Sequence, residues 1–224
     1  MALRDEDDVR EFLQQRSYLH PSADVGIGIR RYQIRHRLAA SGQFDGTTQQ
    51  HMEQSRCGWV DGEDLFANVR SIVGFGAPSR PFRWAPGLTP SGMTPSQAIE
   101  VFQAAFEMWE SVSPVKFERE SSGAPITISC VQGDGPGRVL ARAFQAGPIQ
   151  LDRDESWSLS VPPTGHADLL TVMLHEIGHV LGLGDNDTDP TAIMHGFFGN
   201  GPAVIRRTFT ATDHALIQVR FGGS

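Results

Sequence analysis

The stretch HEIGHVLGLGD, residues 175–185, constrains the fold of this chain more than any other. Residues four apart share one face of an α-helix, so His175 and His179 can turn their imidazoles toward one point only if the segment is helical. Gly182 then breaks the helix. A glycine tolerates the left-handed backbone that lets a chain turn sharply back. Three residues later the carboxylate of Asp185 can return to the two histidines. The fold must therefore supply a helix, an abrupt stop and a returning loop around one site.

Two imidazoles at this spacing suit zinc, which binds histidine nitrogen at about 2.0–2.1 Å and carboxylate oxygen at about 2.0–2.2 Å. Glu176 lies beside the pair, poorly placed to join the ligands but able to reach a water there. Zinc that acidifies a water, with a glutamate to take its proton, is the chemistry of peptide-bond hydrolysis. The HExxH pattern alone arises by chance in about 3% of chains of this length, and Gly182 with Asp185 lowers that by a factor on the order of 10². Asp187 is the rival for the third ligand. Read blandly, the run is an amphipathic helix with surface histidines.

Around this motif the 224 residues divide by pattern. DVREFLQQRSYL, GIRRYQIRHRL and the residues after Asp45 read as three short helices. Residues 62–80 show no period and end in Gly, Pro and Ser, as a connecting segment does. FRWA then reads as a strand. TPSQAIEVFQAAFEMWESV reads as a helix with Thr94 as N-cap, Pro95 at the first turn, Gln97 completing a capping box, and Ile99, Phe102, Phe106 and Trp109 at helical spacing. VKFER, PITISCV, RVLARAF and IQLD read as strands. HADLLTVMLHEIGHVLGL is a second long helix, and a last one starts at Thr210 or Thr212. This order implies an α+β fold around one mixed sheet.

HEIGHVLGLGD resembles the metzincin signature, whose third ligand is usually histidine but is aspartate in a few members such as the snapalysins. The resemblance implies a catalytic zinc on His175, His179 and Asp185, with Glu176 as general base. Aspartate is shorter than histidine and brings its charge, so the backbone should sit nearer the metal and the metal should be the weaker Lewis acid. TAIMHGFF resembles the methionine turn of matrixins, with Met194 beneath the metal; Gly196 and Phe198 stand where proline and tyrosine are usual, at positions that line the specificity pocket. SRCGWVD resembles the matrixin cysteine switch. It implies that the Cys57 thiolate takes the open metal position in a latent form, with Arg56, Gly58 and Asp61 shaping the loop and Arg56 pairing with Asp61. Residues 1–61 then correspond to a three-helix propeptide, 62–80 to the segment cut on activation, and 81–224 to a metzincin catalytic domain. VLARAF resembles the edge strand that holds an extended substrate, through the backbone of Leu140 and Ala141. Asp152 and Glu155 match two calcium-ligand positions, although the short GDGPG loop removes other partners. Arg142 and Gln150 replace histidines of a structural zinc, so one zinc is expected.

Composition bounds the alternatives. A net charge of −7 argues against a nucleic-acid partner, and no apolar run is long enough to span a membrane. Two cysteines, Cys57 and Cys130, allow one bridge but no disulfide scaffold. The expected partners are protein or peptide substrates and the chain's own propeptide, with the molecule a monomer. The acidic start is not a signal peptide; a secreted protein whose signal has been removed is the expectation. His20, His36, His51, His166, His195 and His214 read as surface or packing residues. A different class, a cell-wall-binding helical module carrying a secondary or inactive protease half, also fits the N-terminal helices.

Overall fold

A computed structural model describes residues 3, 5–58, 80–199 and 204–222 of the chain. Three short helices come first: α1 (Glu6–Gln15), α2 (Val25–Arg35) and α3 (Gly46–Met52). Asp5, Asp24 and Asp45 cap them, each carboxylate accepting a backbone N–H of the first turn. The first helix stops well before Tyr18, because Ser17 takes a positive φ of 60° and Tyr18 N–H turns back to the Leu13 carbonyl at 2.9 Å. That turn buries Tyr18 with Phe12, Leu13, Ile29, Tyr32 and Met52 in a small hydrophobic cluster of their own.

The remaining elements surround a larger core. In chain order they are β1 (Arg56–Cys57), β2 (Phe82–Pro86), α4 (Pro95–Val112), β3 (Phe117–Arg119), β4 (Ile126–Val131), β5 (Val139–Ala143), β6 (Ile149–Asp152), β7 (Trp157–Ser158), β8 (Ala167–Asp168), α5 (Leu169–Val180) and α6 (Ala211–Phe221). Six strands form one sheet in the order β1-β5-β6-β4-β2-β3, and β7 pairs with β8 in a second, two-stranded sheet. β5 runs antiparallel to β6, whereas β6, β4, β2 and β3 are mutually parallel. The α+β plan with one mixed sheet is the observed one.

Two helices pack against this sheet and each other. The Thr94–Gln97 capping box and Pro95 start α4, whose Ala98, Phe102, Ala105, Phe106 and Trp109 face the core. α5 is buried almost all round, and Trp109 Nε1 donates to its Leu174 carbonyl at 2.8 Å. The sequence pattern extends α5 back to His166, but residues 167–168 are strand β8. Asp168 caps the helix instead, accepting from Thr171 N–H at 3.1 Å and from the Thr171 hydroxyl, and is anchored by Arg207. β1 is absent from the sequence reading: a two-residue strand has no period of its own and exists because β5 offers it an edge.

Candidate metal centre

α5 ends at Val180, and Gly182 follows with φ 84°. The reversed chain brings Asp185 back over the helix face that carries His175 and His179. His175 Nδ1 lies 2.8 Å from the Ile193 carbonyl and His179 Nδ1 2.8 Å from the Leu183 carbonyl. A carbonyl can only accept, so both Nδ1 atoms carry a proton, which leaves Nε2 of each ring as the nitrogen that a metal would take. Those Nε2 atoms lie 2.9 Å apart, and Asp185 Oδ1 is 3.1 Å from the first and 3.2 Å from the second. Cys57 Sγ lies 3.3 Å from Asp185 Oδ2. One donor atom from each of the four residues falls within 4.8 Å of the others, the only such group of three or more among the described residues.

Four donors set tetrahedrally at zinc's usual bond lengths would lie about 3.3–3.6 Å apart. The observed separations match that shell, slightly contracted, so the residues fit the metal that the motif implies. Electrostatics agrees. Burial disfavours charge on His179, but the Asp185 carboxylate outweighs it and lifts the imidazole to about 9. Burial would likewise raise the Asp185 carboxyl, yet the imidazoles, His179 foremost, pull it well below the usual carboxylate range. The cluster is built to hold positive charge.

Glu176 is wholly buried beside it, and neither carboxylate oxygen has a hydrogen-bond partner among the described residues. Burial raises its pKa, against the pull of His179 and His175. Met194 is also fully buried, its sulfur pressed where a side chain on Gly178 would stand. The turn that carries it hangs on Asp213, whose carboxylate accepts from Ile193 N–H and Met194 N–H, each at 3.1 Å. Arg206 braces the next residues by donating to the carbonyls of Pro190, His195 and Phe197 at 2.9, 2.8 and 2.6 Å. Sequence reading missed Gly178, Asp213 and Arg206; only Asp213, as the last residue of a Thr-x-x-Asp cap, carried a local signal.

The segment 55–58 lies between two backbones. Arg56 N–H donates to the Arg138 carbonyl and Gly58 N–H to the Ala141 carbonyl, both at 2.7 Å, on the β5 side. Cys57 N–H donates to the Gly196 carbonyl at 3.1 Å and Phe198 N–H to the Ser55 carbonyl at 2.7 Å on the other. Arg142 lies across Gly58, where any side chain would collide with it. Arg56 packs between the rings of Phe12 and Phe197. The Asp61 half of the expected Arg56–Asp61 pair lies outside the described residues, as do residues 62–79 of the expected activation segment. Cys57 and Cys130 are not bridged to each other; Cys130 lies on β4 with Sγ 3.3 Å from the Leu88 carbonyl, and burial lifts it to about 11.

Gly196 and Phe198 part company. Phe198 lines a cavity of about 550 Å³ with Leu140, Val172 and Val204. Gly196 faces the metal cluster instead: a Cβ there would stand 2.7 Å from Asp185 Oδ2. Asp152 and Glu155 staple the 133–137 loop. Asp152 Oδ1 accepts from Gly133 N–H at 3.2 Å and Glu155 Oε1 from Gly137 N–H at 2.6 Å, while burial raises the Glu155 carboxyl. Asp187 stands apart from the donor cluster and contacts His36. No helix among the described residues is long and apolar enough to cross a membrane.

The chain is similar to known proteins. The sequence model of the matrixins matches residues 84–222. Macrophage metalloelastase of Oryctolagus cuniculus is 34% identical over 208 residues, which cover 83% of this chain and 41% of that protein. Matrix metalloproteinase-19 of Homo sapiens is 31% identical over 180 residues, 72% of this chain and 34% of its own length. Stromelysin-1 of Mus musculus is 28% identical over 235 residues, covering 96% and 46%. The chain thus spans less than half the length of these curated relatives.

Proposed function

The chain belongs to the matrixin family, and from that premise we propose that it is a zinc-dependent endopeptidase held latent by its own N-terminal segment. The observation that carries this reading is the convergence of His175, His179 and Asp185, both imidazoles aimed by backbone carbonyls, with a buried carboxylate beside them. His175, His179 and Asp185 would hold the metal, and Cys57 would complete the set in the latent form. A zinc there supplies Lewis acidity toward a peptide carbonyl and an attacking water.

The chain's own residues do the rest. Glu176 takes the water's proton and passes it to the leaving amine. With residues 55–58 withdrawn, the Ala141 and Arg138 carbonyls, the Gly196 carbonyl and the Phe198 N–H are free to hold an extended peptide as an added strand. The cavity bounded by Leu140, Val172 and Phe198 takes a substrate side chain. In the latent chain the same groups are spent on Ser55, Arg56, Cys57 and Gly58. Residues 1–61 act as inhibitor, 81–224 as catalyst, and a cut within 62–80 separates them. Such a latent protease acts outside the cell, as a monomer, on protein substrates. Calcium at Asp152 and Glu155 remains an addition to this reading, supported by the buried Asp152 Oδ2, which has no hydrogen-bond partner among the described residues.

The test is metal analysis joined to casein cleavage before and after limited proteolysis. The parent should hold one zinc per chain and cleave only after processing. Glu176→Ala should hold the same zinc and never cleave. Processed parent that cleaves without metal would overturn the assignment.

A further inference from the structure

We propose that the N-terminal helical unit is held over the metal centre by a second lock, independent of the Cys57 thiol and centred on Asp187. The proposal rests on the latency reading above, and extends it to residues outside the 55–58 segment. Asp187 follows the third donor by two residues, yet its side chain points to the helical unit. Its Oδ2 lies 2.9 Å from His36 Nδ1 and 3.9 Å from Arg35 Nη1, at the end of α2. His36 in turn is tied into its own unit, its Nε2 3.0 Å from the Tyr18 hydroxyl. Both partners are enclosed: the His36 side chain is 1% exposed and that of Asp187 13%.

The contact reaches both loops that frame the metal donors. Arg35 Nη2 donates to the backbone carbonyl of Asp185 itself at 3.3 Å. Phe197, on the methionine-turn loop, meets the His51 ring at 4.5 Å and the His36 ring at 5.2 Å, between centroids. A thiol switch requires only residues 55–58 at the cleft. These contacts join residues about 150 positions apart in the chain, through side chains of α2 and α3 rather than through the thiol. A nearly buried carboxylate loses far more when one partner is removed than the pair contributes when intact, because the survivor stays buried and uncompensated. Asp187 therefore acts as the positioning residue that makes docking of the helical unit selective for this catalytic half.

The experiment follows the reactivity of Cys57 in the full chain carrying Glu176→Ala, so that self-cleavage cannot intervene. An aromatic disulfide reagent labels the thiols, and the mass of the labelled peptide separates Cys57 from Cys130. Asp187→Asn should label at Cys57 about tenfold faster or more, as expected for loss of a charge-assisted contact. It should keep its full zinc content, and exposed Asp154→Asn should behave as the parent. His36→Phe, which attacks the pair from the other side, should give a similar increase. The double variant should exceed neither single by much, whereas general loosening of the fold would add. Parental labelling by Asp187→Asn, loss of its zinc, or additive effects would each overturn the proposal. None of these readouts involves peptide cleavage, so a processed parent that fails to cut casein would sink the protease reading separately.

Discussion

Acid should weaken the docked state through His51, and the structure sets the size of the effect. The imidazole lies on α3 with its ring 4.5 Å from Phe197 and 5.0 Å from His36, and Nδ1 2.7 Å from the Tyr32 hydroxyl. Burial first, then the neighbouring His36 and Arg56, lower its pKa from 6.5 to about 4; Asp187 opposes them weakly and His195 adds to them. A depressed folded-state value means that the unfolded chain takes the proton first. Stability is therefore complete above about 6.5, falls as the pH drops below that, and the loss ends near 4. At about 1.36 kcal/mol per pH unit the ceiling is about 3 kcal/mol, and screening at a half-buried ring reduces it to roughly 1–2 kcal/mol. Urea unfolding of the Glu176→Ala chain at pH 7.5 and 4.5, with and without His51→Gln, measures it. The chain with His51 should lose roughly 1–2 kcal/mol more over that interval than the chain without. Protonation of the metal donors affects both equally and cancels in the difference. Parallel losses would show that His51 carries no part of the acid response, and the reasoning would fail.

Other substitutions probe the centre itself. Gly196→Ala places a Cβ 2.7 Å from Asp185 Oδ2, and the carboxylate can yield only by leaving the imidazoles; zinc affinity, read by competition with a chromogenic chelator, should fall at least tenfold. Asp185→Ala should lose most of its zinc by elemental analysis while Asp187→Ala retains it; the opposite ranking would reassign the third ligand. Cys57→Ala should weaken latency, seen as faster self-cleavage within residues 62–80 on gels, yet stop short of full release because the Asp187 contact persists. Cys57→Ala as latent as the parent would mean that the thiol contributes nothing.

Much of this molecule is local information. The helix that presents His175 and His179 follows from a spacing of four, its end from a glycine at 182, and the start of α4 from Thr94, Pro95 and Gln97. Each is set by chemistry within a few residues, which a linear reading can follow. The three aspartate-capped helices and the strands β2 to β6 belong to the same class, since their periods repeat along the chain. What the chain could not disclose depends on residues brought together from afar. β1 exists because β5 has an open edge, and two residues hold no period to read. Gly178 must be glycine because Met194 presses on it, and Gly196 because Asp185 does. Asp185 and Asp187 are alike in sequence, two residues apart in one loop. The spacing after Gly182 favours the first as the metal donor, and the fold turns it onto the imidazoles; the partner of the second, His36, lies 151 residues away along the chain and is set by the fold alone. Side chains that act within one turn of backbone can be read from order alone; those whose role is set by a distant partner acquire it only when packing brings that partner near.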